Sequence, residues 1–160
     1  MGFDIRPAAD GELDACARLM SGSEPWRTLR LGPEACLAVV KDPAREKYVA
    51  VGSDRVLGAI VLAMGGPFKG YVQAVVVDPG QRGRGVGRAL LAAAEERIFR
   101  DTPNVFLCVS SFNTGARRLY EALGYRQVGE IPDYVVPGHS ELLLRKSIGP
   151  LSGFRSAPLS

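Results

Sequence analysis

The pattern of hydrophobic positions along the chain predicts short strands that alternate with amphipathic helices. Apolar or alternating runs predict strands at 3–6, 48–51, 56–62, 71–77, 105–109, 125–131 and 141–145. Helical spacing of apolar residues predicts helices that start near Asp10, Pro33, Ala89 and Thr114, with Asp10 as an N-cap. Early strands follow one another as hairpins, whereas strands joined by the long helix after Ala89 run parallel. The order of elements therefore predicts a mixed sheet covered by helices.

The composition is typical of a single globular domain. The chain has 160 residues, of which 46% are hydrophobic and 23% are charged, and its formal charge at pH 7 is +3. This length is sufficient to bury a sizeable core. Because aromatic residues are not interleaved with the basic ones, we expect no nucleic-acid partner. No apolar run is long enough to span a bilayer, so we expect no membrane partner either.

The cysteines and the two ends of the chain suggest a compartment and domain limits. Cys16, Cys36 and Cys108 are far apart, odd in number and without metal-ligand spacing. We therefore expect reduced thiols, no metal site and, since residues 1–4 begin no signal peptide, a cytoplasmic protein. The domain is expected to cover 1–146. The Gly-, Pro- and Ser-rich stretch 147–160 predicts a mobile tail, or a strand lent to a partner chain.

One stretch, Tyr71 to Leu91, combines a strand, a glycine loop and a helix. Its β-branched run ends at the turn Asp78-Pro79-Gly80, and the loop Arg82-Gly83-Arg84-Gly85-Val86-Gly87-Arg88 leads into an alanine- and leucine-rich helix. The first N–H groups of a helix lack intrahelical partners, and glycine lets a ligand approach the backbone. The loop therefore predicts a phosphate-binding site. The alternative is a glycine turn whose arginines are simply solvated.

The spacing of the glycines excludes two common nucleotide motifs. A P-loop requires a Lys-Ser/Thr pair, which does not follow these glycines. A dinucleotide fingerprint requires G-x-G-x-x-G, but Arg88 occupies the position of the third glycine. The pattern that is present is R-x-x-G-x-G, formed by Arg82, Gly85 and Gly87.

This loop resembles the acetyl-CoA pyrophosphate loop of the GNAT N-acetyltransferase superfamily. A second segment is similar to the N-x-x-A-x-x-L-Y-E-x-x-G-F/Y element of the same superfamily. It matches at Asn113, Ala116, Leu119, Tyr120, Glu121, Gly124 and Tyr125. The resemblance covers roughly residues 3–146, and the two motifs together are far more specific than either alone.

The resemblance implies a fold, a cosubstrate and a set of binding residues. The fold would be a single-domain α/β (α+β) GNAT-like fold. Its twisted central sheet would be mixed but mostly antiparallel, with about six or seven strands, about four flanking helices and a splay between the two central parallel strands. Acetyl-CoA would be the cosubstrate. The residues implied to bind it are Val75, Val76 and Val77 on the splayed strand, Arg82, Gly83, Arg84, Gly85, Val86, Gly87 and Arg88 in the loop, and Asn113 against the pantetheine arm.

The resemblance also implies a mechanism in which a primary amine attacks the thioester directly through a tetrahedral intermediate. Tyr120 matches the tyrosine that donates a proton to the departing CoA thiolate. The alternative for Tyr120 is a core tyrosine whose hydroxyl is already hydrogen-bonded.

No residue can be assigned as the base that takes the proton of the amine. Relatives carry a glutamate where this chain has Cys108, or a carboxylate where it has Gln73, and neither residue is a convincing base. The remaining candidates are His139, Asp133, Glu141 and a water relay. Asp133 and Tyr134 could instead shape the amine pocket, where Asp133 could pair with a cationic substrate.

Two functions follow from these patterns. The first is an acetyl-CoA-dependent N-acetyltransferase for a small-molecule or peptide amine, and the alternative is a non-catalytic acyl-CoA-binding or regulatory module.

Trp26 lies in a loop that covers the acceptor site in relatives, and it could equally be a core anchor. Arg27 and Arg30 suggest an acidic or phosphorylated acceptor, or are simply solvated. The last strand or the tail could pair two copies as a homodimer.

Overall fold

A computed structural model describes residues 2–156 of the chain. The strands are β1 (Asp4–Pro7), β2 (Arg45–Gly52), β3 (Arg55–Ala63), β4 (Tyr71–Val77), β5 (Asn104–Ser110), β6 (Arg126–Ile131) and β7 (Glu141–Ser147). They form one seven-stranded sheet in the order β1-β2-β3-β4-β5-β7-β6. All neighbours are antiparallel except β4 and β5, which are parallel. The predicted mixed, mostly antiparallel sheet is confirmed.

Four α-helices flank this sheet, as the apolar spacing predicted. They are α1 (Leu13–Ser21), α2 (Pro33–Lys41), α3 (Val86–Ile98) and α4 (Thr114–Ala122). The predicted N-cap at Asp10 is wrong, because Asp10 begins a short 3-10 turn instead. The carboxylate that satisfies a free amide there belongs to Glu12, which accepts a hydrogen bond from the Ala9 N–H at 2.8 Å. Glu12, and not Asp10, is therefore the acidic residue that binds a free N–H group at this helix start.

The sheet has a hydrophobic core on each face. Helix α3 packs its buried residues Leu90, Leu91 and Ile98 against one face, where Tyr120 of α4 also lies. Helices α1 and α2 cover the other face, where Trp26 from the segment between them is buried as well. Side chains alternate between the faces along each strand, so a residue of β4 or β5 contributes to one core or the other.

The central pair of strands separates soon after it begins. Parallel pairing of β4 and β5 covers only Tyr71 with Phe106 and Val72 with Leu107. The strands approach closely at Gly70, whose carbonyl accepts from the Phe106 N–H at 3.0 Å and where a Cβ would lie 2.5 Å from the Asn104 carbonyl oxygen. Beyond this contact the strands diverge, and the predicted splay is confirmed.

The predicted domain limits and tail concern the C-terminal end of the chain, only part of which is described. Strand β7 ends at Ser147, and residues 157–160 of the predicted tail lie outside the described residues. The domain limits 1–146 and 147–160 stay a prediction. Within residues 2–156, every helix is too short or too polar to cross a membrane.

Candidate active site

A cavity of about 680 Å³ lies where β4 and β5 separate. It is lined from both faces of the sheet, so it has two sides. The α3 side is formed by the loop before α3, the first turn of α3, and α4. The α1 side is formed by part of the α1–α2 segment, by residues of β4 and β5, and by Tyr134, Val135 and Glu141.

The α3 side presents unpaired backbone N–H groups. Helix α3 begins after Gly85, and the bond from the Ala89 N–H to the Gly85 carbonyl, 3.0 Å long, is the first of the helix. The N–H groups of Val86, Gly87 and Arg88 precede that bond, and no side chain caps this helix start. All three residues line the cavity. A helix start of this kind attracts anions, because the free N–H groups and the helix dipole act together.

The loop before α3 owes its shape to glycine. Gly83 has a φ of 78° and Gly85 a φ of 84°, in the left-handed region that L side chains rarely adopt. The preceding turn is fixed by Asp78, which accepts from the Gly80 N–H at 2.9 Å and pairs with Arg55. That pairing with Arg55 holds the pKa of Asp78 below its usual value. The glycine loop therefore starts from a rigid, ionised anchor.

The β4 strand contributes main-chain groups at the gap. Val76 is buried on the α1–α2 face, whereas Val75 and Val77 pack against the core that contains α3. Their side chains are thus occupied in the two cores, yet all three residues line the cavity. Since β4 has left β5 by this point, the main-chain groups that face β5 have no strand partner. These groups are available to a ligand in the gap.

The structure brings nearly all of the predicted site residues to this cavity. Its lining includes Val75, Val76, Val77, Arg82, Gly83, Gly85, Val86, Gly87, Arg88, Asn113 and Tyr120. Arg84 is the exception, since its exposed side chain donates to the Gln81 side chain at 3.5 Å. Arg82 and Arg88 are exposed at the cavity edge.

Tyr120 lies on α4 with its ring buried. Asn113 caps this helix, accepting from the Ala116 N–H at 3.4 Å. The Tyr120 ring packs edge-on against Tyr125, with centroids 5.9 Å apart. No hydrogen-bond partner of its hydroxyl is found among the described residues, so the predicted alternative of a satisfied core tyrosine is not what the geometry shows. Burial raises the pKa of Tyr120 to about 12, which keeps the phenol protonated at neutral pH.

The α1 side holds a cluster of polar groups that sequence analysis largely missed. Tyr71, Cys108, Ser110 and Glu141 line the cavity there. Ser110 and Glu141 are directly paired residues of β5 and β7, and the Ser110 hydroxyl donates to the Glu141 carboxylate. Burial raises the pKa of Glu141, although the Ser110 hydrogen bond and His139 oppose that rise.

Two neighbours of Glu141 stay protonated. Burial raises the pKa of Cys108, so the thiol at this position is neutral at physiological pH. Burial also raises the pKa of Tyr71, and the nearby Cys108 adds to that rise. Tyr71 had no sequence signal beyond membership of a strand, and Ser110 fell just after the strand predicted at 105–109. Glu141 is therefore the ionisable group of this cluster that can accept a proton.

Of the other candidates for the base, Asp133 and His139 do not line the cavity, although His139 is close enough to Glu141 to lower its pKa. Asp133 has a φ of 53° and accepts from the Gly138 N–H at 2.7 Å, closing the β6–β7 loop outside the cavity. His139 packs edge-on against Phe112 at 4.8 Å and does not line the cavity. Gln73 lines it, but its side-chain oxygen accepts from Arg45. The β4 ladder skips Gln73 at a bulge opposite Val61 and Leu62.

The α1–α2 segment closes the α1 side. Trp26 and Leu29 of this segment are buried and also line the cavity. Trp26 is therefore a core residue that borders the cavity, and its role over an acceptor site stays a prediction. Glu24 lines the cavity too, and both of its oxygens accept from Thr28, one from the N–H and one from the hydroxyl. These hydrogen bonds lower the pKa of Glu24, so its carboxylate is ionised at neutral pH. The sequence had singled out Trp26, Arg27 and Arg30 in this loop, but not Glu24.

Comparison with known proteins gives a consistent picture. Residues 13–125 match the family described as Acetyltransferase (GNAT) family. The N-alpha-acetyltransferase RimI of Mycobacterium tuberculosis is 31% identical over 138 residues, which cover 83% of this chain and 82% of that protein. An uncharacterized protein of Mycobacterium leprae is 32% identical over 146 residues, or 84% of this chain. The chain spans only 38% of the length of that relative.

A solved structure shares the fold. Arabidopsis thaliana NAA60, in a crystal structure with acetyl-CoA, superposes with a TM-score of 0.75 and covers 92% of this chain and 99% of the solved one. Its sequence identity is 19%, so the likeness concerns the fold alone.

Proposed function

The chain belongs to the GNAT family of acetyltransferases, and from that premise we propose that it transfers the acetyl group of acetyl-CoA to a primary amine of a small molecule or peptide. One observation carries the proposal. The free N–H groups at the start of α3 face a cavity that continues through the β4–β5 gap to a buried carboxylate, Glu141. An anion site, a channel and a proton acceptor are what this reaction requires.

The residues present fit acetyl-CoA. The N–H groups of Val86 to Arg88 suit a pyrophosphate, and Arg82 and Arg88 can add charge-assisted contacts. The unpaired main-chain groups of Val75 to Val77, with Asn113 opposite, suit the amide-containing arm that leads to the thioester. Bound acetyl-CoA supplies the acetyl group as a thioester, whose carbon–sulfur bond breaks as the amine nitrogen bonds the acetyl carbon.

Glu141 is the group we propose to take the proton of the amine. Its carboxylate is 8% exposed, and Ser110 holds one of its oxygens. The raised pKa of Glu141 makes it a stronger base than an exposed glutamate, while the hydrogen bond from Ser110 keeps that rise limited. A carboxylate on β7 would thus replace the one that relatives carry at the positions of Cys108 and Gln73.

Tyr120 is the group we propose to protonate the leaving sulfur. A phenol with a pKa of about 12 carries its proton throughout the neutral range. Its hydroxyl has no competing partner among residues 2–156, and its ring is held by Tyr125. Tyr125 is itself anchored, since its hydroxyl donates to Glu95 at 2.9 Å. These contacts support a fixed donor on the α3 side of the cavity.

The test is an assay of acetyl transfer from acetyl-CoA to a panel of amines. The release of the free CoA thiol is the quantity measured. We expect Tyr120→Phe to lower kcat by roughly 10²–10⁴-fold with unchanged calorimetric affinity for acetyl-CoA. Tyr48→Phe is the matched control, because that hydroxyl donates to Glu46 at 3.3 Å and does not line the cavity. Binding of acetyl-CoA without transfer to any amine would instead favour the alternative, a non-catalytic acyl-CoA-binding module.

The setting of the enzyme is also proposed. Cys16, Cys36 and Cys108 are free thiols, which supports a reducing, cytoplasmic location. A homodimer and the domain limits 1–146 and 147–160 stay predictions.

A further inference from the structure

The α1 side of the cavity carries negative charge only. Among the described residues, its charged lining groups are Glu24 and Glu141. Neither carboxylate takes part in an ion pair with a lysine or arginine of residues 2–156. The arginines that line the cavity, Arg82 and Arg88, belong to the α3 side. A ligand on the α1 side therefore meets two carboxylates and no cation.

Nearby arginines do not line the α1 side, although Arg27 is close enough to Glu24 to help lower its pKa. Arg27 and Arg30 are exposed and do not line the cavity, so the acidic or phosphorylated acceptor that they suggested has no support in the geometry. Arg45 donates from Nε to Gln73, and its Nη1 lies 3.7 Å from the Asp42 carboxylate. The Asp42 carboxylate therefore already offsets the positive charge of Arg45.

The rest of the α1 side is aromatic and aliphatic. Trp26, Tyr71 and Tyr134 line it together with Leu29, Leu31 and Val135. Tyr134 and Val135 are 62% and 39% exposed, although both are large hydrophobic residues. Exposed apolar side chains at a cavity mouth are typical of a binding site for an apolar ligand. Aromatic faces also attract cations.

Building on the acetyltransferase function proposed above, we propose that the acceptor is a small amine with an apolar or aromatic body and no carboxylate beside the reacting nitrogen. Such an amine arrives as an ammonium ion, which Glu24 and Glu141 attract. It loses one proton to solvent before it attacks, and Glu141 takes the second N–H proton as the amide forms, while Tyr120 protonates the departing sulfur. A carboxylate next to that nitrogen would lie near Glu141 without a cation to pair with it, and a desolvated like charge is costly.

Matched pairs of acceptors test this proposal directly. Tyramine and tyrosine differ only in the α-carboxylate, as do phenylethylamine and phenylalanine. The measurement is kcat/KM for each, from thiol release at saturating acetyl-CoA and low salt. We expect each amine to exceed its amino acid by roughly tenfold or more, the effect of about 1.4 kcal/mol.

The outcomes separate this inference from the function on which it rests. Turnover of the amino acids equal to or better than that of the amines overturns the inference and leaves acetyl transfer intact. Binding of acetyl-CoA with no turnover of either series overturns the inference, and it overturns acetyl transfer as well when no amine of the wider panel is acetylated. Turnover confined to the amines supports both.

The Glu24→Gln variant tests whether the preference for amines arises on the α1 side. Glu24→Gln keeps an acceptor for the Thr28 N–H but removes the charge. We expect it to raise KM for tyramine about two- to fivefold with kcat unchanged, in line with a partly exposed charge pair. Glu96→Gln is the control, since that side chain on α3 is 75% exposed and pairs with Arg100. An unchanged KM in Glu24→Gln removes Glu24 from acceptor recognition, and the matched acceptor pairs then decide the proposal through Glu141 alone.

Discussion

The two sides of the cavity are built in different ways. The α3 side is made mostly of main-chain groups from one continuous stretch, 75–88, in which glycines allow the loop conformation. The α1 side is made of side chains from four separate segments, namely the α1–α2 segment, β4, β5 and the region from Tyr134 to Glu141. The first side depends on backbone shape, and the second depends on which side chains the sheet topology brings together.

This difference predicts opposite responses to substitution. On the α3 side, a change that alters φ at a glycine should matter more than the loss of a side chain, because the proposed contacts to acetyl-CoA come from N–H groups. On the α1 side, removal of one functional group should abolish a chemical step while leaving the backbone unaltered. Substitutions at Glu141, Gly85 and Arg82 test this contrast.

The largest effect is expected at Glu141. Glu141→Gln keeps the shape of the side chain and an acceptor for the Ser110 hydroxyl, but it cannot take a proton. We expect kcat to fall by roughly 10²–10⁴-fold, while calorimetry shows unchanged affinity for acetyl-CoA. Glu130→Gln is the control, because Glu130 also accepts a serine hydroxyl, from Ser140 at 2.9 Å, but is exposed and outside the cavity.

A pH profile of activity tests whether Glu141 is the titrating group. Activity should fall with decreasing pH as Glu141 becomes protonated, and Glu141→Gln should remove that acidic limb. The hydrogen bond from Ser110 lowers the pKa of Glu141, so Ser110→Ala should move the limb to higher pH. His139, Cys108 and Tyr71 also face this carboxylate, but Cys108 and Tyr71 are protonated across the acidic range. If activity falls at the same acidic pH in Glu141→Gln and Ser110→Ala as in the unsubstituted protein, the titrating group is another residue.

The α3 side could be predicted from the sequence because its information is local. The run Val75 to Val77, the turn at Asp78 and the glycines up to Gly87 follow one another, so their order alone indicates strand, loop and helix start. Main-chain binding tolerates many side chains but demands glycine at particular positions. The one predicted residue that does not line the cavity, Arg84, shows the limit, since spacing does not reveal where a flexible side chain points.

The α1 side could not be predicted in the same way. Ser110 and Glu141 are 31 residues apart and meet only because β7 pairs with β5, whereas β6 takes the edge of the sheet. Tyr71 is one residue of an apolar strand, and its exposure to the cavity depends on where β4 leaves β5. Neither the strand order nor the point of separation is encoded in a short motif. The sequence could therefore offer Glu141 only as one of several candidates.

A smaller effect, on cosubstrate affinity, is expected at Gly85. Valine is strongly disfavoured at a φ of 84°, so Gly85→Val should turn the N–H groups of Val86 to Arg88 away from the cavity. A left-handed conformation costs an L residue roughly 1–2 kcal/mol, and we expect acetyl-CoA to bind roughly tenfold more weakly or worse. Calorimetric titration measures this loss.

Gly66 provides the matched control for Gly85. It has a φ of 85° and, like Gly85, open space where a Cβ would lie, but it is outside the cavity. Gly66→Val should lower the melting temperature about as much as Gly85→Val and leave the affinity for acetyl-CoA unchanged. Equal losses of affinity in the two variants would show that general destabilisation, and not the N–H groups, is responsible.

The smallest effect is expected from the arginines at the same loop. Arg82 lines the cavity but is exposed, so its contribution to binding is screened by water and salt. We expect Arg82→Ala to weaken acetyl-CoA binding about two- to fivefold at low salt, and less as ionic strength rises. Arg84→Ala should have a smaller effect, because that side chain is directed to Gln81, and Arg126→Ala on exposed β6 controls for net charge. A loss at Arg82 larger than that at Gly85, persisting at high salt, would mean that side chains and not main-chain amides dominate the α3 side.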